Sequence, residues 1–296
     1  LLSKLDSEKL YYPLKSDFDT LAIQQLVKSK LLAAVNEYFR HNQLIQQPQS
    51  VPLYRAKDYS RVLYISSVAF VLSKTLNIPP LEIAIAIASH FRAAPIDITV
   101  NVVTPGYLHL EPTAFGLANW LQTIPFLPRL LAKSTPNEYF SPIVNNSCLF
   151  YIQHAHARCC SLLHQAEREG TIALIKSEAQ DKLCHWAIAQ PQPLPWLNAR
   201  SRLRFCHQSE YALIGELVEV CDCIYTSSSD ERRFWQAAAK LSQAFTSFHG
   251  CCRLWGEVKQ LDPQLVEARL GLILAVQVVL QFLLAKHLGV LAPQEL

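Results

Sequence analysis

Apolar residues at Ile23, Val27, Leu31, Val35 and Phe39 recur at every fourth position, and Ser16 with Asp17 ahead of them carry capping oxygens. The spacing predicts an amphipathic helix over roughly 18–39. After a polar stretch from His41 to Ser50 comes a short candidate strand, Val51 to Arg55. Helices are expected next over about 60–76, closed by Asn77 and the Pro79-Pro80 pair, and from Pro80 to Phe91. The period then drops to two. Ile96, Ile98, Val100 and Val102 alternate with Asp97, Thr99, Asn101 and Val103, as in a half-buried strand, and Thr104-Pro105-Gly106 turns the chain into a second strand, Tyr107 to Leu110. Thr113 to Ile124 reads as a closing helix, so residues 1–124 are expected to form one α+β domain.

Pro125, Pro128, Pro136 and Pro142 interrupt any periodicity, which places a linker at 125–142. Beyond it, helices are expected near 143–168, 171–186, 208–225, 231–256 and 262–288, broken once by the Pro-rich loop from Gln190 to Pro195. Ser229, Asp230 and Glu231, and then Asp262-Pro263, are start signals for the last two. Residues 143–296 are thus expected to be an all-α antiparallel helical bundle. The stretch Leu270 to Ala285 runs sixteen residues without a charge. That is short of the ~20 that a bilayer core demands, and Gln277 and Gln281 interrupt it, so it is expected to be a buried bundle helix and not a membrane span.

Half of the 296 residues are apolar, 17% are charged, and the formal balance is +3. This excludes the broad cationic surface of a non-specific nucleic-acid binder, so any RNA binding must come from local placement. Nine cysteines form no CxxC pair, and two groups are adjacent Cys-Cys. They are expected to be reduced, mostly buried and without metal, in a cytoplasmic compartment. Only eight glycines are present, with no Gly-rich phosphate loop, and Ser247 near His249 lacks an oxyanion-building turn. No catalytic residue, metal or cofactor is expected.

The run YIQHAHARCCSLL from Tyr151 resembles the "Y-V-Q-Y-A-H-A-R" segment that opens the anticodon-binding bundle of arginyl-tRNA synthetases. AFTSFHGCCRLWGE (244–257) resembles their "A-F-N-S-F-Y-H-x-C-R-V" helix, and LVEARLGLILAVQVVLQFLLAKHLGVLAP (265–293) the terminal helix of the same domain, named for a D-A-L-R segment. Arg253 and Arg269 fall on family arginines. Toward the N-terminus, SSVAFVLSKTLNIPPLEIA (66–84) and VVTPGYLHL (102–110) are similar to the additional domain that precedes the synthetase core. The resemblance implies a D-loop-reading hairpin at Tyr107 and His109, and further RNA contacts from Tyr151, His154, Arg158, Phe248, His249 and Arg253. Residues i and i+2 of a strand share one face, which suits a stacking ring beside a hydrogen-bonding neighbour. The H-x-G-H and K-M-S-K-S motifs of the class I catalytic domain do not occur, and the 125–142 linker stands where that domain lies in the family. The resemblance therefore implies a non-catalytic relative that binds tRNA or a tRNA-like RNA. His109, His154, Thr246 and His249 replace an amide, Tyr, Asn and Tyr of the family pattern, and imidazole changes the donor and acceptor pattern of a base reader.

Each of these residues also has a structural reading. His154 and His156 lie about 200° apart on a helix and cannot share a ligand, so His156 is expected inside the bundle. Arg158 and Arg253 suit phosphates or helix ends equally. Arg232-Arg233 with Trp235, and Arg200, Arg202 and Arg204 with Phe205, fit an RNA-tracking surface or a solvated one. The alternative function is a protein-interaction subunit that kept the scaffold without RNA binding.

Overall fold

A computed structural model of the chain describes residues 21–44, 48–58, 60–91, 97–130, 146–178, 184–226 and 231–296. The Ser16-Asp17 cap, Ile96 and the Ser229-Asp230 start signal lie outside them. Helix α1 (Ile23–His41) buries Ile23, Val27, Leu31, Val35 and Phe39, the stripe read from the sequence. Arg40 and His41 occupy its last turn, where cations complement the helix dipole. Asn42 closes it by donating from its side-chain amide to the Tyr38 carbonyl at 2.8 Å.

Four antiparallel strands follow: β1 (Tyr54–Arg55), β2 (Tyr64–Ser66), β3 (Ile98–Val103) and β4 (Tyr107–Pro112), ordered β1-β2-β4-β3. The strand expected over Val51–Arg55 is thus only its last two residues. Strand β2 corrects the helix expected from residue 60. Tyr64, Ile65 and Ser66 pair with Leu110, His109 and Leu108, and Ser66 Oγ donates to the Pro52 carbonyl at 2.6 Å. The helical pattern resumes only at α2 (Val68–Leu76), closed by Asn77 in the left-handed conformation, and Pro80 opens α3 (Pro80–Phe91). Leu108 and Leu110 are fully buried on the helix-covered face of the sheet, and Tyr107 and His109 take the other face. In the β3–β4 turn Gly106 has φ +146°, and a Cβ there would lie 2.8 Å from the Pro80 carbonyl carbon. A side chain would therefore push the hairpin off α3. Thr113 caps α4 (Ala114–Thr123), accepting from the Gly116 N–H at 2.9 Å.

The expected linker begins as structure. A 3-10 turn (Ile124–Phe126) leads into α5 (Leu127–Leu130), and Leu127 is fully buried; residues 131–145 lie outside the described set. The second half is a helical bundle of α6 (Asn146–Arg168), α7 (Gln208–Thr226), α8 (Glu231–Cys251), the short α9 (Glu257–Leu261) and α10 (Pro263–Phe282), which continues as a π turn through His287. Asp262 caps α10, accepting from the Leu265 N–H at 3.0 Å. Every residue of α10 from Ala268 to Phe282 is buried. It is the bundle's central helix.

The helix expected over 171–186 is instead a hairpin, β5 (Ala173–Glu178) with β6 (Cys184–Gln190). Ile172, Ile175 and Ile188 favour strand. Trp186 and Ile188, two apart, are both buried, with His164 of α6 4.7 Å from the Trp186 ring and Lys176 above that ring at 5.1 Å. The helix expected to reach 256 stops at Cys251, and Gly256, with φ +81°, starts α9.

The two halves touch directly. Asp222 of α7 accepts from the Tyr64 hydroxyl at 2.6 Å and from the Gln24 N–H at 2.9 Å, and Arg55 pairs with Glu219 at 3.1 Å. Elsewhere Gln122 of α4 accepts from the Leu194 N–H (3.2 Å) and the Trp196 indole N–H (2.9 Å). Trp196 lies so close over Gly271 of α10 that a Cβ there would come within 2.5 Å of its ring.

Candidate nucleic-acid interface

The first surface is the open face of the sheet. Tyr107 is partly exposed, its ring tilted 48° against Phe70 with centroids 4.7 Å apart. His109, two residues on, is also partly exposed and sits between Ile65 of β2 and Asn101 of β3. The motif residues are therefore brought together on one solvent-facing patch. Phe70 propping the ring is a contact that the motif alone did not reveal.

The second surface is the groove between α6 and α8. The Tyr151 hydroxyl donates to Thr246 Oγ1 at 3.1 Å. Thr246 is in turn held to the Ser242 carbonyl at 2.9 Å. His249 is partly buried, and that burial, followed by the nearby Arg158 charge, lowers its pKa. Arg158 of α6 therefore faces the same groove, and Arg158, His154 and Arg253 are exposed. The Arg253 carbonyl accepts from Arg269 Nη1 at 2.7 Å, while Arg269 Nε donates to the fully buried Glu210 at 2.7 Å. Glu210 also accepts the Cys206 and His207 N–H groups at 2.8 and 2.7 Å. Both carboxylate oxygens of Glu210 are thus engaged, and the pair fixes the backbone from which the Arg253 side chain projects.

Phe248 is corrected. It is fully buried on the α8 face that also carries Phe245 and Cys252, so it is a core residue and not an RNA contact. His156 is internal, as expected from its helical position. It donates from Nδ1 to the Pro293 carbonyl at 2.7 Å, lies 3.1 Å from the Gln277 amide, and burial lowers its pKa to about 4. Arg204 is structural, bonded to the Pro195 carbonyl at 3.0 Å and to Gln264 at 2.5 Å, whereas Arg200, Arg202 and Arg232 are exposed. Among the described residues no group of His, Cys, Asp or Glu is placed to hold a metal ion. Among the described cysteines, Cys159, Cys160, Cys221 and Cys252 are buried.

Residues 22–111 match the family model for the arginyl tRNA synthetase N terminal domain, and residues 152–296 match the DALR anticodon binding domain. Among curated proteins, the chain is similar to the arginine–tRNA ligase of Synechococcus sp. (strain JA-3-3Ab), 26% identical over 148 residues, covering 49% of this chain and 22% of that protein. It is also similar to the arginine–tRNA ligase of Ruminiclostridium cellulolyticum, 27% identical over 158 residues (51% and 23%), and to that of Heliobacterium modesticaldum, 28% identical over 151 residues (50% and 23%). The matched stretch thus spans less than a quarter of these relatives' length. No solved structure matches the chain.

Proposed function

From a chain that is arginyl-tRNA-synthetase-like at both ends, an N-terminal domain of that kind joined to a DALR domain, we propose a protein that holds tRNA or a tRNA-like RNA at two places without charging it. The observation that carries this reading is the solvent-facing placement of Tyr107 with His109 on one domain and of Tyr151, Arg158 and His249 around one groove of the other, with Arg253 exposed just beyond the end of α8. Rings for unpaired bases and cations for phosphates are the two chemistries that RNA recognition needs. The non-catalytic part of the proposal is supported by spacing. Between the last residue of one match, 111, and the first of the other, 152, lie forty residues, too few for a nucleotide-binding catalytic fold. The chain would position, chaperone or sequester its RNA in the cytoplasm.

Retention of total tRNA by the full chain at moderate salt tests the binding. Tyr107→Ala is expected to weaken it about tenfold, the loss of one stacked base, and arginine-dependent ATP–pyrophosphate exchange is expected to stay at background. Failure to retain any structured RNA, with a stoichiometric protein partner recovered instead, would replace this reading with the scaffold one. Measurable exchange would overturn its non-catalytic part.

A further inference from the structure

We propose that the open sheet face carries a second stacking position, Tyr54, and that a single-stranded RNA segment crosses the sheet from Tyr107 to Tyr54 and continues to the cleft between the domains. This rests on the RNA-binding reading above and extends it to residues outside the hairpin motif. The strand register sets Asn101, His109, Ile65 and Tyr54 side by side in one row across all four strands. Directly opposed residues of antiparallel strands share a face. It is the outer face, because the neighbours of His109 (Leu108, Leu110) and of Ile65 (Tyr64, Ser66) are all fully buried on the other one.

Tyr54 is 49% exposed, and Asn101 is exposed at the opposite edge. With strands about 4.8 Å apart the row spans about 14 Å, roughly four times the 3.4 Å rise of one stacked strand. It carries a phenol ring, an aliphatic side chain, an imidazole and an amide, with no carboxylate or ammonium among them. That chemistry suits base faces and base edges and leaves phosphates to be met elsewhere.

They are met where the row ends. Residues 53–58 form one wall of a cleft of about 720 Å³ whose other wall is α7 and α8. Three of its carboxylates are already engaged: Asp222 by Tyr64 and Gln24, Glu219 by Arg55, and Asp58 by Ser60 and Arg61. Burial raises the pKa of the fourth, Glu216, against the nearby charges of Lys240 and Arg55. Lys57 on one wall and Lys240 on the other are exposed. They supply two cations, one from each domain, for the backbone of a strand leaving Tyr54.

The test is equilibrium binding of a labelled single-stranded oligouridylate about ten nucleotides long, within the range of single-strand sites, to the full chain across a salt series, with an RNA duplex as control. Tyr54→Ala should weaken single-strand binding about tenfold without changing the salt slope, and Tyr54→Phe should restore most of it. Lys57→Ala with Lys240→Ala should reduce the slope of log K against log salt by about 1.4, at about 0.7 for each phosphate contact. Tyr54 is half exposed, so an unchanged melting temperature separates lost binding from lost folding. Native-like binding by Tyr54→Ala while Tyr107→Ala loses it would overturn this inference and leave the two-domain reading standing. No binding of either tRNA or the single strand by the native chain would overturn both, and tighter binding of duplex than of single strand would overturn the sheet-face path.

Discussion

Asp222 and His156 are two buried ionisable groups whose effects on stability have opposite signs. Burial raises the Asp222 pKa to about 6 from 3.8, against the lowering effect of its bonds from Tyr64 and Gln24. Its contribution is fully present below the unfolded value and is lost as pH rises through about 6, an effect of about 3 kcal/mol at full burial. Burial lowers the His156 pKa to about 4 from 6.5. Its contribution is fully present above the unfolded value and is lost as pH falls through about 4, again about 3 kcal/mol. The two partly cancel between pH 4 and 6. Urea unfolding across pH should therefore show Asp222→Asn losing the decline between pH 4 and 7, while His156→Gln resists acid better than the native chain. If both variants parallel the native profile, these groups do not titrate as their surroundings dictate. Phe248 shows where motif reading stops at this scale. The motif places it in an RNA-contacting helix, but only the three- and four-residue spacing of Phe245, Phe248 and Cys252 against Thr246, His249 and Arg253 tells which face is buried.

Long elements were legible because their period runs unbroken. Helices α1, α3, α4, α6, α7, α8 and α10 and the β3–β4 hairpin lie within a few residues of their expected positions. Short apolar runs were not. Strand β2 is three residues and β1 two; β2 exists because β4 offers a partner far away in sequence, and β1 because it pairs on β2. The β5–β6 pair hides in a stretch whose isoleucines fit either period, and the choice is made by Trp186 packing on α6. Motif and alternation together located Tyr107 and His109, whereas Tyr54 was invisible until the register set it in their row. The β3–β4 turn carries the sharpest local requirement. Gly106→Ala should lower stability by about 2 kcal/mol, from a backbone conformation reserved for glycine plus the approach of Pro80. The shift in urea midpoint measures it, and a change below about 0.5 kcal/mol would mean that the turn relaxes freely.

At the scale of the whole molecule the two proposed RNA-facing surfaces belong to domains that meet, among the described residues, where Asp222 bonds Tyr64 and Gln24 beside the Arg55–Glu219 pair, and where Gln122 bonds Leu194 and Trp196. Gln122→Ala strips the acceptor from the Leu194 amide and the Trp196 indole. It should cost about 1–3 kcal/mol and speed hydrogen exchange at the Leu194 amide at least fivefold, while leaving the Gln24 amide protected. Equal acceleration at both would show that the junction opens as one unit. The central position of α10 bears on synthesis as well as on stability. The ribosome makes this helix after α4, α5, α6, α7 and α8, against which it packs, so they emerge with their mating surfaces uncovered. Until α10 emerges, at about 5–20 residues per second, the growing chain is an adhesive half-product. A chaperone that shields apolar surface on nascent chains would therefore set the yield of this protein more than the stability of its finished fold does.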